Sequence, residues 1–282
     1  MMRKRQGNVM RRFKKELIVA GILLSVLIFA GGAWGMNKEV YQETFSVKPG
    51  TVLKVYNRNG DIEVSSWDRD YVEVEAIKQR HWWNSLLKEP RIDVTSGNEL
   101  FVRTLYSMAL SEAIPVQYRI AVPKGVLVTH LETSTGKIHV NEVSGDVDAK
   151  TSTGDIQIHR VDGFVKAVTS TGKIHITGVG GLFGAQTNTG KISVEVPEIR
   201  DNLEIRSSNG SITVFLSPDI AARLEVSTSN GQITYEDLPL TVNELSKTKL
   251  TGKLGEGSER IYIKTSTGSI NLKKLDYSSS IQ

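Results

Sequence analysis

Four carboxylates crowded into a short stretch of the chain are the residues whose type and spacing most suggest chemistry. They are Asp146, Asp148, Asp155 and Asp162. Cleavage of a glycan needs two such acids held close together, one of them in surroundings that raise its pKa. The four acids occupy different positions of the repeat described below, and the neighbouring copies carry Phe164 and Leu182 where Asp146 stands. We therefore predict no catalytic residue, and keep a carbohydrate-active β-helix enzyme acting on an envelope polysaccharide as the alternative function.

Histidines raise a second possibility, a metal site. His139 and His175 lie two repeats apart with Gln157 midway, and His159 is on the next outward position of one copy. In stacked strands the first two imidazoles would be roughly 10 Å apart, which is too far for one ion. The chain has no cysteine, so thiolate ligands, disulfides and a cysteine nucleophile are excluded. We predict no metal and no cofactor.

These side chains are carried by a sequence repeat, in which a glycine is followed two residues later by isoleucine. The glycines are Gly60, Gly136, Gly154, Gly172, Gly190, Gly210, Gly231 and Gly268. The isoleucines are Ile62, Ile138, Ile156, Ile174, Ile192, Ile212, Ile233 and Ile270. Gly136 to Gly190 are spaced 18 residues apart. A constant period in this range indicates a solenoid.

Apolar and polar residues alternate on both sides of each glycine, which predicts two strands per copy, each with one buried face. The glycines, with neighbouring Ser, Thr and Asn, would form a tight corner, and the isoleucines a core ladder. Thr133 is two residues after Leu131 and should point inward with it. We therefore expect the threonines at this position of the repeat to form hydrogen bonds inside the stack. We predict an all-β fold, a single-stranded parallel β-helix of about 18 residues per rung. A right-handed coil is expected by analogy with most parallel β-helices.

The amino-terminal residues predict membrane attachment. Residues 1–16 contain seven of the 35 basic residues and one of the 31 acids, and residues 17–36 carry no charge. Such a segment can cross a bilayer, and the basic flank keeps the amino terminus in the cytoplasm. We therefore predict a single-pass protein of the cell membrane whose solenoid lies outside the cytoplasm. The alternative is a cleaved secretory signal ending near Ala33-Trp34-Gly35. Because the rest of the chain is nearly neutral, we predict no nucleic-acid partner.

The rest of the chain can be divided into segments that follow the repeat and segments that do not. We predict a stalk or first strand at 37–48, the solenoid at 49–275, a polar loop at about 239–257 and a frayed tail at 276–282. Within the solenoid, residues 65–121 break the period and contain Trp67, Trp82 and Trp83. A segment of this kind covers the open end of a stack, or forms a binding surface through its tryptophans.

The repeat also resembles a known family. The Thr-Ser-Thr-Gly-x-Ile copies, the lead-in at 118–125 and the closing stretch at 261–270 are similar to the bacterial "putative adhesin" domain of unknown function. Some similar proteins resemble membrane proteins of cell-envelope-stress operons. The resemblance implies a non-enzymatic, adhesin-like interaction or structural module of the cell envelope, with the lipid bilayer, a cell-wall polymer, an envelope membrane protein or another copy of itself as partners.

Overall fold

The computed structural model describes residues 27–29, 36–81, 88–107 and 114–276, and this part of the chain is all-β. Its strands are β1 (Leu27–Phe29), β2 (Met36–Ser46), β3 (Val52–Tyr56), β4 (Ile62–Trp67), β5 (Tyr71–His81), β6 (Arg91–Thr95), β7 (Glu99–Leu105), β8 (Val116–Pro123), β9 (Leu127–Thr135), β10 (Ile138–Val143), β11 (Val147–Thr153), β12 (Ile156–Thr171), β13 (Ile174–Thr189), β14 (Ile192–Val196), β15 (Leu203–Asn209), β16 (Ile212–Leu216), β17 (Ala222–Asn230), β18 (Ile233–Glu236), β19 (Leu240–Leu245), β20 (Lys249–Leu254), β21 (Arg260–Thr267) and β22 (Ile270–Lys274).

The membrane segment predicted at 17–36 lies outside these ranges apart from β1 and Met36, so it stays a prediction. In the part of the chain that the structure covers, no helix is long and apolar enough to cross a bilayer. The basic segment at 1–16 also lies outside, as do Trp82 and Trp83 and all of the predicted tail except Asp276.

The strands form two faces that meet at the glycine corners. Strands that precede a corner align as the pre-corner sheet, in the order β6-β7-β3-β9-β11-β12-β13-β15-β21-β17-β20-β19. Strands that follow a corner align as the post-corner sheet, in the order β2-β5-β8-β4-β10-β12-β13-β14-β16-β22-β18. The long strands β12 and β13 belong to both. The central pairs are parallel and in register, with Ile156 opposite Ile174, as predicted for a solenoid. All eight isoleucines of the repeat are buried between the sheets.

Each corner is a place where backbones of successive rungs nearly touch. A Cβ atom built on Gly154 would lie 1.9 Å from the carbonyl oxygen of Gly136, and one on Gly172 would lie 1.9 Å from that of Gly154. No side chain fits at such a distance, so the corner requires glycine. Seven of the eight repeat glycines stack on another repeat glycine in this way, and Gly60 stacks on Val116.

At six of the eight corners a threonine lies three residues before the glycine and points inward, as predicted. Its hydroxyl donates a hydrogen bond to the glycine carbonyl of the neighbouring rung, for example from Thr151 to Gly136 at 3.0 Å and from Thr169 to Gly154 at 3.1 Å. The internal bonding predicted for this column is confirmed. These hydroxyls satisfy corner carbonyls inside the stack and are not presented to a ligand.

The order of the rungs in space differs from their order in the sequence. The copy containing Gly268 is last along the chain, yet β21 lies between β15 and β17, and β22 lies between β16 and β18. The copy containing Gly231 comes after it in the stack. The rungs therefore do not stack in chain order at this end.

A hairpin of β19 and β20 takes the terminal position and pairs antiparallel with β17. The polar loop predicted at 239–257 was wrong for this reason. Leu250 and Leu254 are buried on the inner side of β20, and the polar residues between them hid that alternation in the sequence. A bulge between Val242 and Glu244 interrupts the outer strand. Bulges of this kind hinder further pairing at an exposed sheet edge.

The opposite end of the stack is formed by strands β2 to β8. Strand β5 runs antiparallel to both β2 and β8, and β6 runs antiparallel to β7. Asn57 stands in the threonine position of this first rung, and its amide donates to the carbonyl of Val116 at 2.7 Å. The hydroxyl of Thr104 bonds Asn57 at 3.0 Å and the Tyr118 hydroxyl at 2.7 Å. Burial raises the pKa of Tyr118 above its usual range. This network joins the irregular segment to the repeat.

Candidate functional site

Three of the four acids that suggested catalysis accept hydrogen bonds from neighbouring rungs. Asp146 accepts a hydrogen bond from the amide of Phe164 at 2.8 Å, and Asp155 accepts one from the amide of Lys173 at 2.8 Å. Asp162 accepts from an amide and a hydroxyl of the adjacent corner. Each carboxylate therefore secures one rung to the next. None of the three forms the paired arrangement that glycoside cleavage requires.

The fourth acid, Asp148, lies beside an imidazole that the sequence did not single out. The Nδ1 atom of His130 is 3.7 Å from Asp148 on the adjacent strand, and its Nε2 is 3.2 Å from Glu132. The ring of His130 packs on Tyr56, which packs on Phe101, with ring centroids 4.8 and 4.9 Å apart. The rings stack on one another along the pre-corner sheet, so their faces are covered. This row stabilises the sheet and offers little surface for a ligand.

The two carboxylates give this row a pH dependence that can be measured. The neighbouring Asp148 carboxylate raises the pKa of His130 above its ordinary 6.5, and Glu132 adds to the effect. The neighbouring His130 imidazole lowers the pKa of Asp148 below its ordinary 3.8. The charged imidazole therefore stabilises the fold below about pH 6.5, and this contribution is lost as pH rises through the folded-state pKa. The contribution of Asp148 is present above about pH 3.8 and is lost as pH falls through its lowered pKa.

We expect His130→Gln to lower the free energy of unfolding at pH 5.5 by up to about 1 kcal/mol and to have a smaller effect at pH 8.5. Urea denaturation followed by circular dichroism at the two pH values measures the difference. His175→Gln, on the exposed side of the post-corner sheet, is the matched control and should behave alike at both. An equal loss at both pH values for His130→Gln would contradict the assignment.

The remaining imidazoles are dispersed. His139 and His175 lie on either side of Gln157 in three adjacent strands, and His159 bonds the hydroxyl of Thr177 at 2.9 Å. Within residues 27–29, 36–81, 88–107 and 114–276, no group of three His, Cys, Asp or Glu side chains could hold a metal ion.

Trp67, proposed as part of a binding surface, lies at the end of β4 and is engaged with its own turn. Its indole N–H donates to the carbonyl of Tyr71 at 2.8 Å, and the two rings meet edge to face at 5.0 Å. The guanidinium of Arg69 lies 4.7 Å from the Trp67 ring centroid. These contacts give the tryptophan a structural role in the β4–β5 turn.

The best candidate for a binding site is a groove at the other end of the pre-corner sheet, which we call the C-terminal groove. It encloses about 430 Å³ and is lined by Arg223, Glu225, Ser227, Asn243, Lys249, Thr251, Lys253 and Tyr262, with the backbone between them. Strands β17, β20 and β21 supply its floor. The β19 bulge between Val242 and Glu244 supplies Asn243, in keeping with the use of bulges to redirect a side chain.

Tyr262 is the aromatic residue of this groove. The guanidinium of Arg206 lies 4.9 Å from its ring centroid, and that of Arg260 lies 5.5 Å from it. A half-exposed tyrosine between two arginines offers an apolar ring, a phenolic hydroxyl and positive charge within one small area. The sequence alone did not reveal this site. The alternation of β17 and β21 was visible, but the hairpin of β19 and β20 and the pairing of β21 with both β15 and β17 were not.

Comparisons with known proteins match the chain to one family model and to solved structures of low sequence identity. The family model described as Toastrack DUF4097 matches residues 131–273. A "putative cell adhesion protein" from Clostridium sporogenes ATCC 15579 is 13% identical, over 83% of this chain and 99% of that one, with a TM-score of 0.34. A "putative adhesin" from Bacteroides fragilis NCTC 9343 is 11% identical, over 83% of this chain and 96% of that one, with a TM-score of 0.36. No curated protein matches the chain.

Proposed function

The chain belongs to the Toastrack DUF4097 family, and from this premise we propose that it is a non-catalytic interaction module of the bacterial cell envelope. Its relatives carry adhesin names and not enzyme names. The use of Asp146, Asp155 and Asp162 as acceptors for neighbouring rungs supports a role in binding over one in catalysis. The observation that carries the proposal is the C-terminal groove, an open site with an aromatic ring and flexible charged side chains on a rigid sheet.

We further propose that residues 17–36 anchor the module in the cytoplasmic membrane, with the solenoid outside. The uncharged segment and its basic flank at 1–16 support this topology. In intact cells, a tag placed after Gln282 should be accessible to external protease while one before Met1 is protected. Recovery of the protein in the medium, lacking its first residues, would favour the cleaved signal instead.

The proposed partner is a polymer of the cell wall. An extended chain suits this site because the groove lies on the outer faces of three paired strands, β17, β20 and β21. Full-length protein in detergent should be retained by insoluble wall material prepared from its own host. A variant carrying Trp67→Ala, a residue held in the β4–β5 turn, serves as a control and should be retained as well as the wild type. Passage of the wild type through this material without retention would contradict a wall-binding role.

A further inference from the structure

We propose that the C-terminal groove binds a linear polyanion, a wall polymer with repeated phosphate or carboxylate groups. This inference rests on the proposed function and deepens it by naming the chemistry of the partner. It follows from how strand pairing arranges the charged side chains around Tyr262.

Three cations lie side by side across three adjacent strands at one edge of the groove. Arg223 on β17 is directly opposite both Arg260 on β21 and Lys253 on β20. Adjacent strands are about 4.8 Å apart, so the three positive charges are spaced at short and regular intervals. Like charges placed directly opposite each other destabilise a sheet. A row of like charges that destabilises the sheet has a functional explanation if it binds a negatively charged ligand.

A second row of cations lies four residues further along the same strands, on the other side of Tyr262. Arg206 on β15 is opposite Lys264 on β21. Ser227 on β17 is opposite both Lys264 and Lys249, so this row also crosses the sheet. Four residues along a strand span about 13 Å. The two rows therefore border a strip wide enough for one extended polymer.

Carboxylates in and around the strip balance only part of this charge. The row containing Tyr262 includes Glu204 and Glu225, and Glu225 is 3.5 Å from Arg260. From outside the rows, Glu244 is 2.7 Å from Lys249 and Glu256 is 3.9 Å from Lys253. These ion pairs are at the surface and are weak, so an incoming anion can replace them. Six cations belong to the three rows and face four carboxylates, Glu204 and Glu225 within the rows and Glu244 and Glu256 beside them, which leaves an excess of two positive charges on a nearly neutral domain.

The test measures binding of the full-length protein in detergent to three immobilised polymers: inorganic polyphosphate, polygalacturonate and neutral dextran. The groove variant is Arg223→Gln, Lys253→Gln and Arg260→Gln together. Its matched control is Lys137→Gln, Lys173→Gln and Lys191→Gln together, which removes the same charge from exposed positions beside the corners. Thermal unfolding of each variant is recorded, and the groove variant should be at least as stable as the wild type because a row of like charges is removed.

We expect binding to at least one polyanion and not to dextran, weakening as salt concentration rises, because release of counterions drives such contacts. The groove variant should bind about tenfold more weakly or worse, and the control variant within about twofold of the wild type. Preference for polyphosphate indicates a phosphate polymer, and preference for polygalacturonate indicates a uronate polymer.

The inference is overturned if neither polyanion binds better than dextran, or if the control loses as much affinity as the groove variant. Wall retention separates this result from the proposed function. If the groove variant is still retained by wall material, the groove is not the site although the module still binds wall. If wall material does not retain the wild type either, the proposed function itself is contradicted, whatever the polymer-binding result.

Discussion

Replacing Gly154 with alanine is expected to lower the free energy of unfolding by about 3 kcal/mol or more. The added Cβ would lie 1.9 Å from the carbonyl oxygen of Gly136, and that atom belongs to a backbone held by hydrogen bonds between rungs. The amide of Gly136 bonds the carbonyl of Thr153 at 2.8 Å, and the amide of Gly154 bonds that of Thr171 at 2.9 Å. Relief of the clash requires the rungs to separate at this corner and weakens these bonds.

Gly97→Ala is the control for this experiment. A Cβ atom at Gly97 would meet nothing within 4 Å, so the same chemical change should shift stability by no more than about 0.5 kcal/mol. Urea denaturation of both variants, followed by circular dichroism, gives the comparison. Equal stability of Gly154→Ala and the wild type would show that the rungs at this corner are further apart than described.

Removal of residues 258–282 is expected to unfold the carboxyl-terminal third of the solenoid instead of shortening it by one rung. The deleted segment contains β21 and β22, which separate β15 and β16 from β17 and β18. It also contains four fully buried core residues, Ile261, Ile263, Ile270 and Leu272. Their burial contributes about 6–12 kcal/mol, which is comparable to the whole stability of a typical domain.

Proteolysis of the truncated protein, with mass spectrometry of the fragments, should show cleavage throughout residues 203–257. Removal of residues 277–282 alone is the control and should leave this region resistant. A truncated protein that unfolds in one transition with residues 203–257 protected would mean that β15 and β17 can pair directly, and would contradict the expectation.

The sequence predicted the parts of the fold that depend on local pattern. Ile156 and Ile174 recur at a fixed distance from a glycine, and the chain has few ways to bury such a column except by stacking it. The inward direction of the Thr133 side chain was also predictable, because it is two residues after the apolar Leu131. Its hydroxyl donates a hydrogen bond to the carbonyl of Gly60 inside the stack. Resemblance in the repeat was sufficient to identify the family.

Other features depend on which strands become neighbours, and this information is absent from a periodic pattern. Arg223 and Arg260 are far apart in the sequence and directly opposite in the sheet, because β21 lies beside β17. The C-terminal groove could not be predicted without that pairing. His130 was overlooked for a similar reason, since its partners Tyr56 and Asp148 come from rungs on either side.

The spatial order of the last rungs also affects when the protein can finish folding. A chain leaving the ribosome or a translocation channel presents its amino-terminal rungs first, and these can stack as they appear. The copy with Gly231 emerges before the copy with Gly268, which must lie between it and the copy with Gly210. Unpaired strand edges at β15 and β16 therefore persist until β21 and β22 have emerged. The arrival of these two strands, and not growth of the stack in chain order, sets the moment at which this end becomes protected from aggregation and proteases.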